Sequence, residues 1–265
     1  MVSVLSACED PSKPMEESIV ISTVLDSLCT AYDIPGAVLV YDPKSKTYYT
    51  NDSSYARQRT LPASTFKIPN TIIGLETDVI DADTTIFRWD SIVRNMSQWN
   101  TDLNLQQALT YSCVPCYQQV ARDVGIEKMR QMLDRIAYPG MVFDSNSLDQ
   151  FWLTGPSSIN LFEQIDFMQR LHEGKLPIAK KTSDKVLQLL TNADSTATYQ
   201  LKAKTGWAYQ DNRNIGWYVG LVEAKGSVHY FATRISPNIE AEITTFLPVR
   251  KELTVQALQK LNIIN

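Results

Sequence analysis

The chain has 265 residues, of which 44% are hydrophobic and 20% charged, a balance that excludes a disordered, collagen-like or purely disulfide-stapled protein. Twenty-five Lys and Arg against 29 Asp and Glu give a net charge of -4 with no basic run, which argues against nucleic acid as a partner. No stretch of about twenty apolar residues is present, so no segment reads as a membrane span.

The N-terminal Leu5-Ser6-Ala7-Cys8 reads as a lipobox, followed by a polar tether up to Ser18. Met1 to Ala7 is too short to hold both a basic region and an apolar stretch of about 7–15 residues. Either the sequence starts inside its signal or Cys8 is a chance residue. The first reading predicts export to the periplasm, with a possible lipid anchor at Cys8 as the one membrane contact. The region 1–18 is thus expected to be a tether, and 19–265 a single catalytic domain.

Apolar residues at helical spacing predict an amphipathic helix over Glu16–Tyr32. Gly36–Tyr41 and Lys46–Thr50, joined by Asp42-Pro43-Lys44-Ser45, read as a β-hairpin. From about Pro62 to Asn192 the pattern is mostly helical, broken at Tyr138-Pro139-Gly140 and Gly155-Pro156. Strand signals return in Thr196–Lys204, Ile215–Glu223 and Val228–Arg234, and a closing helix runs from about Pro248 to Leu261. The expected fold is α/β: a mainly antiparallel sheet from both chain ends (19–61 and 195–265), flanked by helices, with an inserted all-helical lobe (62–194). A small-molecule site would lie between sheet and lobe.

Ser64 and Lys67, in Pro62-Ala63-Ser64-Thr65-Phe66-Lys67, fall on one helix face, so the amine can reach the hydroxyl. A serine is a weak nucleophile until a neighbouring base takes its proton, and the lysine would be or carry that base. Read alone, the pair could equally be a helix cap and a solvated lysine. Two further segments suit an acyl-transfer site: Ser112-Cys113-Val114 in the helical region, and Lys204-Thr205-Gly206-Trp207 at the end of a predicted strand. Cys113 and Cys116 spell Cys-Val-Pro-Cys, which could be a redox pair or half a metal site. His172 and His229 belong to no ligand pattern and no strand precedes the motif, so both are read as buried small apolar residues.

Taken together, Ser64-Thr65-Phe66-Lys67, Ser112-Cys113-Val114, Phe151-Trp152-Leu153, Lys204-Thr205-Gly206 and Gly216-Trp217-Tyr218-Val219-Gly220 resemble the class D serine β-lactamases, the oxacillinases among the penicillin-recognising enzymes. The resemblance extends from about residue 20 to the C-terminus, with Tyr138-Pro139-Gly140 standing where that family has Tyr-Gly-Asn. It implies hydrolysis of β-lactams through an acyl-enzyme on Ser64, with no metal and with Lys67 carboxylated by CO2 as general base. Trp152 would hold the carbamate, and Ser112 and Lys204 would relay a proton to the leaving nitrogen. The backbone N–H groups of Ser64 and Trp207 would form the oxyanion hole, while Val114, Thr205, Gly206 and Arg250 would bind substrate, Arg250 at its carboxylate. The alternative reading is a β-lactam sensor domain that is acylated without turnover; class A enzymes and cell-wall transpeptidases are disfavoured by the second motif. No obligate protein partner is implied.

Overall fold

The computed structural model describes residues 17–191, 195–237 and 243–265, so the lipobox and most of the proposed tether lie outside the described residues. Eight strands are present among them: β1 Ser18–Ile21, β2 Gly36–Asp42, β3 Thr47–Thr50, β4 Ile86–Phe87, β5 Leu103–Asn104, β6 Tyr199–Gln210, β7 Arg213–Ala224 and β8 Ser227–Ile235. The helices are α1 Thr23–Ala31, α2 Ser53–Arg57, α3 Lys67–Glu76, α4 Leu105–Thr110, α5 Val114–Val124, α6 Ile126–Arg135, α7 Leu161–His172, α8 Lys180–Leu189 and α9 Ile243–Lys260.

Six strands form one sheet in the order β1-β3-β2-β8-β7-β6, and every pairing is antiparallel except β1 with β3. The chain ends therefore meet at the centre, where β2 pairs with β8 through Gly36–Ile235 to Tyr41–Tyr230. This is the mixed α/β architecture expected from the sequence. Side chains alternate along each strand with period two. Ala37, Leu39 and Tyr41 of β2 and Trp217, Val219 and Leu221 of β7 face the core shared with the helices inserted between β3 and β6. Val38, Val40, Tyr218 and Val222 point the other way, toward α1 and α9. Two apolar layers thus sandwich the sheet.

Four features depart from the sequence reading. The inserted lobe is not all-helical, because β4 and β5 pair antiparallel within it. The expected helix over Glu16–Tyr32 is a strand followed by a helix. Ile19-Val20-Ile21 is a β-branched run that favours an extended backbone and pairs with β3, and Ser22 then caps α1 by accepting from the Leu25 N–H at 3.4 Å. The strand expected to end at Lys204 continues to Gln210, because Asp211 and Asn212 make a two-residue hairpin turn with φ values of 51° and 58°. Lys204-Thr205-Gly206 accordingly lies mid-strand rather than at a strand end. The last helix starts before Pro248, which the helix accommodates inside itself.

Cys113 and Cys116 are buried as the packing reading required, but they are joined in a disulfide, which that reading did not include. Cys29 is a free buried thiol.

Candidate active site

A short 3₁₀ turn, Ala63–Phe66, feeds directly into α3. It is tied to its surroundings at several points: the Ala63 N–H donates to Trp152 O at 2.9 Å and Thr65 Oγ1 donates to Pro62 O at 2.6 Å. Gln164 of α7 in turn donates to Thr65 Oγ1 at 2.8 Å. Strand β6 lies close against this turn. A Cβ on Gly206 would sit 3.2 Å from Pro62 O and 3.3 Å from Thr65 Cγ2, so a larger residue would push the strand or turn apart by a few tenths of an ångström.

The turn places Ser64 where Lys67 can reach it, with Lys67 Nζ 3.0 Å from Ser64 Oγ. Lys67 is completely buried, and burial lowers its pKa from 10.5 to about 7, because a dry surrounding penalises the ammonium form. The amine is therefore substantially uncharged at neutral pH, where its lone pair can accept a proton. Its pocket is apolar and aromatic. The Tyr117 ring centroid lies 5.3 Å from Nζ, and Phe66 stacks on Trp152 at 5.3 Å between ring centroids. The Trp152 indole N–H is buried with no hydrogen-bond partner. An orphaned donor of this kind costs free energy unless something accepts from it.

A second lysine comes from the sheet. Lys204, buried mid-β6, donates from Nζ to Ser112 Oγ and, at 3.1 Å, to Thr205 O. Burial first, and then the charges of Lys67, Arg250 and Lys251, push its pKa well down. Ser112 sits between α4 and α5 with a φ of 53°, and Val114, half-buried, opens α5 beside it. Arg250, on α9, donates from Nη1 to Gly206 O, while its Nε has no partner. Burial lowers its pKa to about 10, which leaves it cationic at neutral pH.

The fold thus joins Ser64 to Lys67, Ser112 to Lys204, and Gly206 to Arg250. Thr205 is tied to the same lysine. Trp207 is 42% exposed, with its indole N–H donating to Asn214 Oδ1 at 3.1 Å. Trp217 is a core residue, wholly buried and donating to Leu61 O at 2.9 Å. Among the described residues no cluster of three or more His, Cys, Asp or Glu side chains could hold a metal ion.

Sequence reasoning missed the residues that hold Lys67 in place. Thr71, one turn after Lys67, donates to Lys67 O at 2.7 Å and shares a 2.8 Å hydrogen bond with the Tyr117 hydroxyl. Asn70 Nδ2 donates to Tyr117 O at 3.2 Å, locking α3 to α5. Helical spacing was the available signal: Thr71 is four residues after Lys67, and Tyr117 three after Val114. At the Tyr138-Pro139-Gly140 departure, Tyr138 is buried and its hydroxyl donates to Gln164 at 3.5 Å, one step from Thr65.

Residues 36–244 match the family described as the penicillin binding protein transpeptidase domain. The β-lactamase OXA-10 of Pseudomonas aeruginosa is 35% identical over 98% of this chain and 97% of its own. OXA-48 of Klebsiella pneumoniae is 34% identical over 89% of this chain and 86% of its own. The chain belongs to the class D serine β-lactamases. A solved class D β-lactamase from Sebaldella termitidis superposes with a TM-score of 0.89 at 36% identity, covering 94% of this chain and 99% of that one. The family resemblance drawn from the motifs therefore holds for the whole fold.

Proposed function

We propose that this protein hydrolyses β-lactams through an acyl-enzyme on Ser64, with Lys67 as the residue that manages protons. The observation that carries the reading is the 3.0 Å contact between Ser64 Oγ and the buried Lys67 amine, whose pKa is lowered to about 7 by burial. The relatives named above, all β-lactamases, support the substrate class.

In the first half-reaction the Ser64 proton passes to the Lys67 side chain while Oγ bonds to the lactam carbonyl carbon. Backbone N–H groups of Ser64 and Trp207 are the oxyanion donors in this reading, each worth about 3 kcal/mol in the transition state. The C–N bond of the four-membered ring then breaks, and its nitrogen takes a proton from Ser112, which Lys204 replenishes. Arg250, cationic and next to Thr205-Gly206, receives the substrate carboxylate, with Val114 and Thr205 lining the approach. The proton held by Lys67 then passes to Lys204, making good the one given to the nitrogen. In the second half-reaction water attacks the ester, gives its proton to the freed Lys67 side chain, and that proton returns to Ser64 Oγ as the acyl C–O bond breaks.

A CO2-derived carbamate on Lys67 fits this pocket. Only an unprotonated amine attacks CO2, and burial supplies one; the orphaned Trp152 N–H is a donor suited to an anionic oxygen. When present, the group supplies an anionic oxygen as the base. The lipobox at Leu5–Cys8 supports a periplasmic, lipid-anchored location for the enzyme.

Turnover decides between hydrolase and sensor. Catalytic amounts of the protein mixed with a chromogenic cephalosporin should give many turnovers per molecule. A single stoichiometric burst would assign it the sensor role instead.

A further inference from the structure

Ser112 occupies a strained position in a tight junction between two helices. At the end of α4 the Ser112 N–H donates to Leu109 O at 3.2 Å and the Cys113 N–H to Ala108 O at 2.9 Å. This pair of bonds terminates a helix through one residue in the left-handed region, a place glycine usually takes. Here that residue is Ser112, at φ 53°. A non-glycine side chain persists there only where the surroundings over-determine it.

On the α4 side those two hydrogen bonds do the holding. On the α5 side the next residue, Cys113, is the cap of α5, yet it offers only a sulfur, which accepts from the Cys116 N–H at 3.2 Å. Sulfur is a weak acceptor at a position where an oxygen is normally found. What secures the cap is the covalent bond from Cys113 to Cys116. The first turn of α5 also carries Val114, and Tyr117, three residues on, forms one wall of the Lys67 pocket. Tyr117 is fixed separately by Thr71 and Asn70 of α3, so the cross-link chiefly steadies the second serine.

We propose that the Cys113–Cys116 disulfide is a positioning element for Ser112, holding its hydroxyl against Lys204 so that it can pass the proton to the departing lactam nitrogen. The proposal rests on the hydrolase reading above. The sulfurs are also within reach of a reductant. Both cysteines line a cavity of about 330 Å³ on the protein surface, walled by Phe87, Trp89, Trp99 and Gln118. A dithiol entering it would attack Cys116, the less buried of the two at 7% exposure. The S–S bond breaks and Cys113 leaves as a thiolate that takes up a proton. The second thiol then displaces Cys116, yielding two cysteine thiols and the cyclic disulfide of the probe. Without the cross-link the α5 cap loosens, Ser112 relaxes from its left-handed conformation, and the hydroxyl moves off Lys204. A displacement of about 1 Å at such a group can cost up to about a hundredfold in rate.

The test uses the full chain, untreated and treated with dithiothreitol, with peptide mass after alkylation reporting the state of Cys113 and Cys116. Acylation and deacylation by a chromogenic cephalosporin are timed separately. Reduction should slow acylation about tenfold, leave deacylation unchanged, and reverse on reoxidation. Two variants extend the test beyond reduction: Cys113→Ala/Cys116→Ala should acylate as slowly as the reduced protein and ignore dithiothreitol. Cys113→Ser/Cys116→Ala restores an oxygen cap and should regain most of the rate. Equal acylation in the untreated protein and in both the reduced protein and the double-alanine variant would overturn the proposal, as would a parallel loss of both steps with a fall in Tm. Absence of turnover in the untreated protein would instead overturn the hydrolase reading itself.

Discussion

Two buried lysines in this protein each donate to a serine, and they reach it by opposite routes. Lys67 and Ser64 are three residues apart, so one turn of backbone sets their distance. Lys204 and Ser112 are 92 residues apart and meet only because β6 packs beside the α4–α5 junction. The local pair is robust: as long as the turn and α3 form, the amine faces the hydroxyl. The long-range pair depends on how sheet and helices fit, and on a serine held in a glycine-like conformation. In the proposed mechanism, nucleophile chemistry is thus built on short-range geometry, and proton relay on tertiary fit.

The largest effects should come from the local pair. Ser64→Ala and Lys67→Ala should each reduce kcat/KM by at least about 10⁴-fold, as removal of a nucleophile or its base does elsewhere. Lys67 also has a thermodynamic signature. Its folded pKa of about 7 lies below the unfolded 10.5, so between those values the unfolded chain binds more protons than the folded one. Stability should therefore rise with pH across that window, and the burial cost is fully present below it. Lys67→Met should raise stability at pH 7 by on the order of 3 kcal/mol in denaturant titrations, while abolishing turnover.

The long-range pair should respond more moderately. Ser112→Ala and Lys204→Ala should each slow acylation by about 10²-fold, within the range typical of a positioned proton donor. The double variant should be little worse than either single one, because the two residues act as one relay. Additive losses in stopped-flow acylation would break the pairing. Trp152→Phe, which preserves the stack on Phe66 but removes the unpartnered N–H, should slow deacylation about tenfold and acylation less. The smallest change is expected from Arg250→Lys. It keeps the charge but loses the fork, and should raise KM about fivefold for carboxylate-bearing substrates with kcat nearly unchanged.

The same contrast explains what was legible in the sequence. Ser64 and Lys67 can be paired from their spacing alone, and the β2–β3 hairpin from its turn and β-branched flanks. Strand β1 was misread as helix because Ile19, Val20 and Val24 satisfy helical spacing as well as strand composition, and only pairing with β3 decides between them. The extent of β6 hinged on Asp211-Asn212 adopting positive φ at both positions, which these residues tolerate but do not demand. The orphaned Trp152 N–H and the Thr71–Tyr117 bond exist only in three dimensions, since each depends on where separate segments bring their atoms; the Cys113–Cys116 pair is local, and its spacing left a redox pair and plain packing both open.

The most direct measurement is the titration of Lys67 itself. The ¹³Cε resonance of Lys67, assigned by its loss in Lys67→Met and followed against pH in CO2-depleted buffer, should show a midpoint near 7. A midpoint near the ordinary lysine value of 10.5 would mean that the amine stays charged beside Ser64, and the proton-transfer account would fail.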